Sequence, residues 1–413
     1  MKIFNILGTD GRLLFATRIV RLFAYGFLSV IFVIYLSTIG LSNIQISWLL
    51  TLTLIGDAAV SLWISVVADR IGRKKMLILG ATLMIFAGII FSFTNYLPLL
   101  IFAAVIGVIS PSGNEVGPFL SIEQSSLSHI IPGEERTRIF AWYNLTGAFA
   151  TALGALSVGI FYKVLFPFGQ NPEHTYRILI FTYAIFGSIL IILFQRLSAK
   201  IEVIKNDTKT PTLNNFLGLN KSLGKIMKLS SLFALDAFGG GFVLQSVVAY
   251  WFYLKFGLEI HILGGIFLCV NILAGASALV AARLAKRFGL INTMVFTHIP
   301  SNFLLILVPL MPNLPLAVAV YFLRSSISQM DVPTRQSYTM AVVNPDERSA
   351  AAGVTNIART LGASISPIII GIFLTTTKLL GLIFVLAGGI KIVYDLILYY
   401  NFRHIKPNEE AKS

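Results

Sequence analysis

The chain has 413 residues, of which 56% are hydrophobic and only 12% charged, with a formal net charge of +14. A water-soluble protein carries about a quarter charged residues, so this composition excludes an ordinary soluble domain and points to lipid as the solvent, where a helix needs roughly 20 mostly apolar residues to cross. The single cysteine, Cys269, excludes an intramolecular disulfide framework and a multi-thiolate metal site.

The opening stretch MKIFNILGTDGRLLFATRIV has no small-residue cleavage site after a short apolar core. It is expected to be a retained cytoplasmic arm running into the first helix. Apolar runs long enough to span follow at about 13–38, 45–67, 76–95, 97–128, 137–161 and 176–197. After a polar segment come about 228–253, 260–284, 290–310, 314–342, 348–374 and 378–402. Lipid admits only helices or closed barrels, and runs this long without period-two alternation select helices. The expected fold class is therefore an all-α integral membrane protein with 12 transmembrane helices in two pseudo-symmetric six-helix bundles. Residues 1–197 form the first bundle, 198–227 a cytoplasmic linker, 228–403 the second bundle and 404–413 a cytoplasmic tail. Within the linker region, NNFLGLNKSLGKIMKL has the pattern of an amphipathic helix on the membrane surface.

With successive loops on opposite sides, 22 of the 32 Lys and Arg fall on one side and 4 on the other. The positive-inside rule then predicts a multi-pass plasma-membrane protein with both termini cytoplasmic. It also accounts for the basic balance without nucleic acid.

Two segments align without gaps at an offset of 212 residues: EQSSLSHIIPGEERTRIFAWYNL from Glu123 and RQSYTMAVVNPDERSAAAGVTNI from Arg335. Gln124–Ser125 matches Gln336–Ser337, Glu135–Arg136 matches Glu347–Arg348, and Asn144 matches Asn356. ADRIGRKKM has a weaker partner in AKRFGLINTM, where Lys286 replaces Asp69. Related halves are expected where a solute site forms at a repeat interface.

With these features the chain resembles the major facilitator superfamily of secondary transporters over essentially its whole length. ADRIGRKK is similar to that family's signature between the second and third helices, with Ser65 at the usual glycine position. The resemblance implies two bundles rocking around a central cavity that opens to one side at a time. It also implies that contacts of the loop Asp69, Arg70, Gly72 and Arg73 latch the cytoplasmic side in the outward-facing state. The physical reading of the loop is simpler. Gly72 supplies a permissive backbone, and Arg70, Arg73, Lys74 and Lys75 hold the loop in the cytoplasm. Asp69 can pair with those cations or face the N-terminus of a neighbouring helix. Topology alone needs no aspartate.

Ionisable residues inside spans are costly and default to functional candidates. Asp57 lies roughly 18 Å into the second helix, Asp236 12 Å into the seventh, Arg324 15 Å into the tenth and Arg359 16 Å into the eleventh. Glu115, in SPSGNEVGPF of the fourth helix, is flanked by Pro111, Gly113, Gly117 and Pro118, which loosen a membrane helix. Asp331 and Pro333 hold a similar place in the tenth. Two roles stand for Glu115: a proton-coupling carboxylate, or one half of a structural ion pair with a residue such as Arg21. Glu123 and Arg335 occupy matching repeat positions with opposite charge and are inner-gate candidates; local pairing with loop cations is the competing role. Arg21, Arg324 and Arg359 suit an anionic solute, yet Asp57, Asp236 and Glu115 balance them. Small residues in the fifth and eleventh helices, Gly154 and Gly362 among them, fit ordinary close packing.

The five histidines are scattered, and no phosphate-cradling glycine loop with lysine is present. No cofactor or metal is expected. A membrane-embedded enzyme would need a clustered nucleophile, metal ligands or a cofactor motif, and a transporter-like sensor would carry an added soluble domain. The expected function is secondary active transport of a small-molecule solute by alternating access, coupled to protons. Export of amphipathic or hydrophobic compounds stands ahead of import of a nutrient or organic anion, with the sensor a distant third. The expected partners are that solute, protons and the lipid bilayer, with no nucleic acid and a monomer as the working form.

Overall fold

The computed structural model describes residues 7–114, 118–131, 136–169, 171–202, 222–343, 347–374 and 377–404. Side chains at 65–66, 69–70, 136–138, 141, 168–169, 282, 348–350 and 377–378 lie outside that description. The described residues form fifteen α-helices. They are α1 (Gly8–Thr38), α2 (Asn43–Ile71), α3 (Arg73–Phe93), α4 (Leu97–Ile106), α5 (Phe119–Ile130), α6 (Arg136–Gly169) and α7 (Pro172–Gln195). After the linker come α8 (Leu223–Gly241), α9 (Gln245–Phe256), α10 (Ile260–Phe288), α11 (Leu290–Leu307), α12 (Leu314–Ser325), α13 (Asp331–Ala341), α14 (Arg348–Phe373) and α15 (Thr377–Phe402).

Ten segments are long and apolar enough to cross a membrane, and α4 and α12 are shorter apolar helices. Together they account for the twelve apolar runs. Three runs are broken: the fourth into α4 and α5, the seventh into α8 and α9, and the tenth into α12 and α13. Sequence explains two of the breaks. Gly239, Gly240 and Gly241 end α8, three costly residues in a row for a helix. Pro111 and Gly113, the latter at φ +70°, open the fourth run. Two of the freed backbone carbonyls there find partners within the protein, as lipid demands. Tyr183 donates to the Val108 carbonyl at 2.7 Å, and the Ser246 amide donates to the Pro111 carbonyl at 3.1 Å. The first half of the expected surface helix lies outside the described residues, and its last part, from Leu223, belongs to α8.

The chain forms two compact units, Met1–Asn206 with Leu244–Leu268, and Asp207–Val243 with Cys269–Ser413. In the first unit α1 packs along α6 and α3 along α7, and α9 lies on α1. In the second, α8 packs along α14 and α11 along α15. The same pairing of first with fifth run and third with sixth thus recurs in each unit, the structural form of the repeat. Glycine makes the closest approaches possible. A Cβ on Gly154 would run into the Phe23 carbonyl of α1, and one on Gly362 into the Ala234 carbonyl of α8. Large apolar side chains such as Phe93, Ile372 and Tyr400 face outward, 72%, 69% and 76% exposed. That surface suits lipid. Cys269 is a half-buried free thiol.

Candidate functional site

Each unit buries a charged cluster. In the first, Arg21 of α1 and Glu123 of α5 are fully buried. The guanidinium grips the carboxylate with both arms: Nη1 donates to Oε1 at 2.8 Å and Nη2 to Oε2 at 2.7 Å. Thr17 Oγ1 donates to Oε1 at 2.7 Å, and the Tyr143 hydroxyl of α6 donates to Oε2. The Arg21 guanidinium also lies 4.7 Å from the Phe119 ring centroid, and that of Arg18 lies 4.2 Å from the Tyr143 ring. Planar, bidentate pairing with every carboxylate oxygen satisfied is what a buried ion pair needs to offset desolvation. Among the described residues the cation that holds Glu123 is therefore Arg21 of α1.

In the second unit the cluster is larger. Asp236 of α8 is buried and accepts from three cations on three other helices. Lys391 Nζ of α15 is 2.6 Å from Oδ1, while Arg359 Nη1 of α14 and Arg335 Nη1 of α13 are 3.0 and 3.1 Å from Oδ2. Arg335 Nη1 donates to Asp331 Oδ2 as well, at 2.8 Å. On the other side of Asp236, His298 Nε2 of α11 lies 3.9 Å from Oδ1. Its Nδ1 lies 2.9 Å from Oδ1 of Asp395. Asp395 is fully buried on α15, and its Oδ2 accepts from Asn302 Nδ2 at 3.3 Å. The Arg359 side chain is 30% exposed, against 3% for Asp236, so Arg359 is the accessible member of this group.

Of the predicted site residues, Asp236, Asp331, Arg335 and Arg359 come together in this one cluster. Arg21 and Glu123 come together in the other. Glu123 and Arg335 belong to different units, and each is engaged within its own. Arg324 stands apart in α12: its guanidinium carbon is 5.9 Å from the Tyr321 ring centroid, and its buried Nε lacks a hydrogen-bond partner. Asp57 is half-buried in α2 and accepts from Ser61 at 3.4 Å. Glu115 lies outside the described residues.

The loop between α2 and α3 is anchored by a residue that sequence reasoning passed over. Gly72, at φ +121°, turns the chain between the two helices. Glu202 then caps α3: its carboxylate accepts from the Arg73 amide at 2.7 Å and the Lys74 amide at 3.1 Å. The buried Arg73 guanidinium donates to the Ile201 carbonyl at 3.1 Å and to Ser125 Oγ at 2.6 Å. The side chains of Asp69 and Arg70 lie outside the described residues. Also missed were Tyr143, His298, Lys391 and Asp395. The last two fall inside the final apolar run and pass the same depth test that selects Asp236; His298 carries no such signal alone.

Comparison with known proteins accords with this architecture. Residues 14–409 match the model of the Major Facilitator Superfamily. The chain is 30% identical over 424 residues to an uncharacterized membrane protein of Saccharomyces cerevisiae, covering 96% of this chain and 94% of that one. Its fold matches a mutant of the nucleoside transporter NupG with a TM-score of 0.79 at 13% identity, covering 95% of this chain and 99% of that one. It matches a D-xylose-proton symporter with a TM-score of 0.70 at 16% identity, covering 94% and 96%. With a family match across nearly its whole length, this multi-pass membrane protein belongs to the Major Facilitator Superfamily, a family of transporters and not of enzymes.

Proposed function

We propose that this chain is a proton-coupled secondary active transporter that moves a small polar solute by alternating access between the halves 1–197 and 228–403. The observation that carries this reading is the buried ion network around Asp236. Charge at mid-membrane depth costs free energy and is retained where ions or solutes pass. The network offers a solute one partly exposed guanidinium, Arg359, backed by Lys391, Arg335 and two carboxylates. Such a lining suits a polar or ionised solute better than an amphipathic one. Several buried aromatic side chains of the first unit, the feature that suits amphipathic cargo, pack on one another, as in the pairs Phe32–Phe91 and Phe119–Phe194. Proton coupling has the support of the intramembrane carboxylates and of the name of one structural relative, a D-xylose-proton symporter. The asymmetry of Lys and Arg supports an orientation with both termini in the cytoplasm, and the protein is read as a plasma-membrane monomer.

The test is flux in proteoliposomes holding the full chain, with and without a pH gradient, over nucleosides, sugars, organic anions and amphipathic cations. At least one polar solute is expected to accumulate against its gradient when a proton gradient is imposed. The direction of the effective gradient distinguishes symport from export. No driven flux across the panel would overturn the proposal.

A further inference from the structure

Asp395 is the one carboxylate of the second-unit cluster that meets no arginine or lysine at bonding distance among the described residues. Asp236 has Lys391, Arg359 and Arg335, and Asp331 has Arg335. Asp395 is fully buried and accepts only from His298 and Asn302. Asn302 is neutral, so among the described residues the one group at bonding distance able to neutralise an ionised Asp395 in place is a protonated His298. An ionised carboxylate buried without a counter-charge is strongly disfavoured. Either the imidazole carries a proton and faces a carboxylate, or the carboxyl carries it and donates to Nδ1. Both arrangements hold one proton between the two residues.

The depth and surroundings fit a site that exchanges this proton. His298 is roughly 12 Å from the start of α11 and Asp395 roughly 10 Å from the end of α15, ends that fall on the same side of a twelve-helix chain. The charged and titratable groups around His298 are Asp395, Lys391 and Tyr394 from α15 and Asp236 from α8, with Arg335 of α13 and Arg359 of α14 beyond Asp236. Imidazole is the side chain that changes charge nearest neutral pH.

We propose that His298 and Asp395 form the proton-holding dyad to which solute movement is coupled. This rests on the proton-coupled reading above and assigns its site to α11 and α15, away from Glu115. When the dyad is loaded, imidazolium faces both Asp395 and Asp236, and Lys391 stays on Asp236. When the proton leaves, Asp395 needs another cation. Lys391, four residues earlier on the same helix face, is placed to supply it. Moving Lys391 from Asp236 to Asp395 removes one of the three cations that hold Asp236. The grip of Asp236 on Arg359, the accessible guanidinium, then tightens. Proton loss at one end of the cluster is thereby felt at the other without any contact between solute and dyad.

Two measurements test this. Ring-nitrogen-15 spectra of the full chain in nanodiscs, titrated over about pH 5 to 8, report the histidines directly. His298→Gln identifies the His298 signals. A change of protonation state at His298 within that range is expected, displaced in Asp395→Asn; a His298 ring unchanged across the range would overturn the proposal. The second uses proteoliposomes with radiolabelled uridine, D-xylose and lactate as probes. Exchange of a solute across the membrane needs no net proton turnover, whereas uphill accumulation does. His298→Gln and Asp395→Asn are expected to keep exchange, which also shows that they fold, and to lose roughly 5–150-fold in driven accumulation, the range typical of coupling between two sites. Driven accumulation at the wild-type level in both variants, or loss of exchange together with accumulation, would remove the dyad as the coupling site and leave the transport reading standing. Absence of driven flux in the wild type would instead defeat the transport reading and the coupling role together. Glu115→Gln, measured in parallel, is expected to retain gradient dependence; its loss there and not in the dyad variants would move the site to α4–α5.

Discussion

Arg21 and Asp236 each lie on the first helix of their apolar set, α1 and α8, and both are buried. Each meets a counter-charge contributed by the fourth run of its own set, Glu123 for Arg21 and Arg335 for Asp236. Those two partners occupy matching positions in the internal repeat with their signs reversed. The surroundings then diverge. Arg21 and Glu123 form a closed pair in which both carboxylate oxygens are taken up by the guanidinium, a threonine and a tyrosine. Asp236 is shared among three cations and a histidine, each on a different helix. A pair of the first kind has one arrangement and fastens α1 to α5 and α6. A cluster of the second kind has several arrangements of similar electrostatic energy, because any one of its cations can be released while the others hold Asp236. The first behaves as a fastener and the second as an exchange.

Removing the shared anion should have the largest effect. Asp236→Asn leaves Lys391 buried and Arg359 half-buried, both without a carboxylate partner among the described residues, and Arg335 with Asp331 alone. The expected cost is about 5 kcal/mol, the upper end for breaking a buried pair, together with loss of driven flux. Thermal unfolding in detergent reads the first and proteoliposome accumulation the second. A cost under about 1 kcal/mol would show that the three cations repel little in place, and the contrast between the clusters would fail. In the first unit Glu123→Gln should cost about 3 kcal/mol by stranding Arg21. Arg21→Met combined with Glu123→Leu should recover most of that loss, since an apolar pair needs no counter-charge. A double variant no more stable than either single one would mean that the pair fixes the geometry of α1 against α5 by more than neutralisation.

The twelve spans were legible because lipid imposes length and apolarity on each one. Broken spans were partly legible: Pro111 and Gly113 announce the break in the fourth, and the three glycines after Phe238 the one in the seventh. The break at 326–330 is marked only on its far side, by Pro333, which falls within the first turn of α13, where a proline is tolerated. Depth selected Asp57, Asp236, Arg324 and Arg359 as residues of one membrane layer, but depth carries no azimuth and does not say which of them meet. It therefore offered Glu115 as a partner for Arg21, whereas the structure pairs Arg21 with Glu123, eight residues further along the same apolar run. Lys391 and Asp395 were available to the same depth test. His298 was not, because a lone histidine in an apolar run reads the same whether it faces a methyl group or a carboxylate.

Smaller effects are expected at the loop. Glu202→Gln keeps the shape of the cap on α3 but weakens two charge-assisted bonds to the Arg73 and Lys74 amides. The expected loss is about 1–2 kcal/mol, seen as faster hydrogen exchange at the first turn of α3. Both cluster regions should keep their exchange rates. If protection around Arg21 and Glu123 fell equally, the loop anchor and the buried pair would form one cooperative element, and the fastener would extend to the linker.

The smallest change in stability, and the one of least certain sign in ordinary intuition, is expected for Arg324→Met. Removing a buried charge from a membrane protein is costly when it strands a partner. Arg324 has its Nε buried without an acceptor and lies beside the Tyr321 ring, with no carboxylate at bonding distance among the described residues. Methionine of similar length would relieve desolvation and strand nothing. The expected outcome lies between no change and a gain of about 1 kcal/mol in unfolding free energy. Driven flux should fall nonetheless if Arg324 is kept for a polar solute, as a half-buried intramembrane cation without a structural debt is best explained by a transient partner. A loss above about 2 kcal/mol would place Arg324 among the fasteners with Arg21. Full flux at unchanged stability would confine the solute's electrostatic contact to Arg359 and the Asp236 cluster.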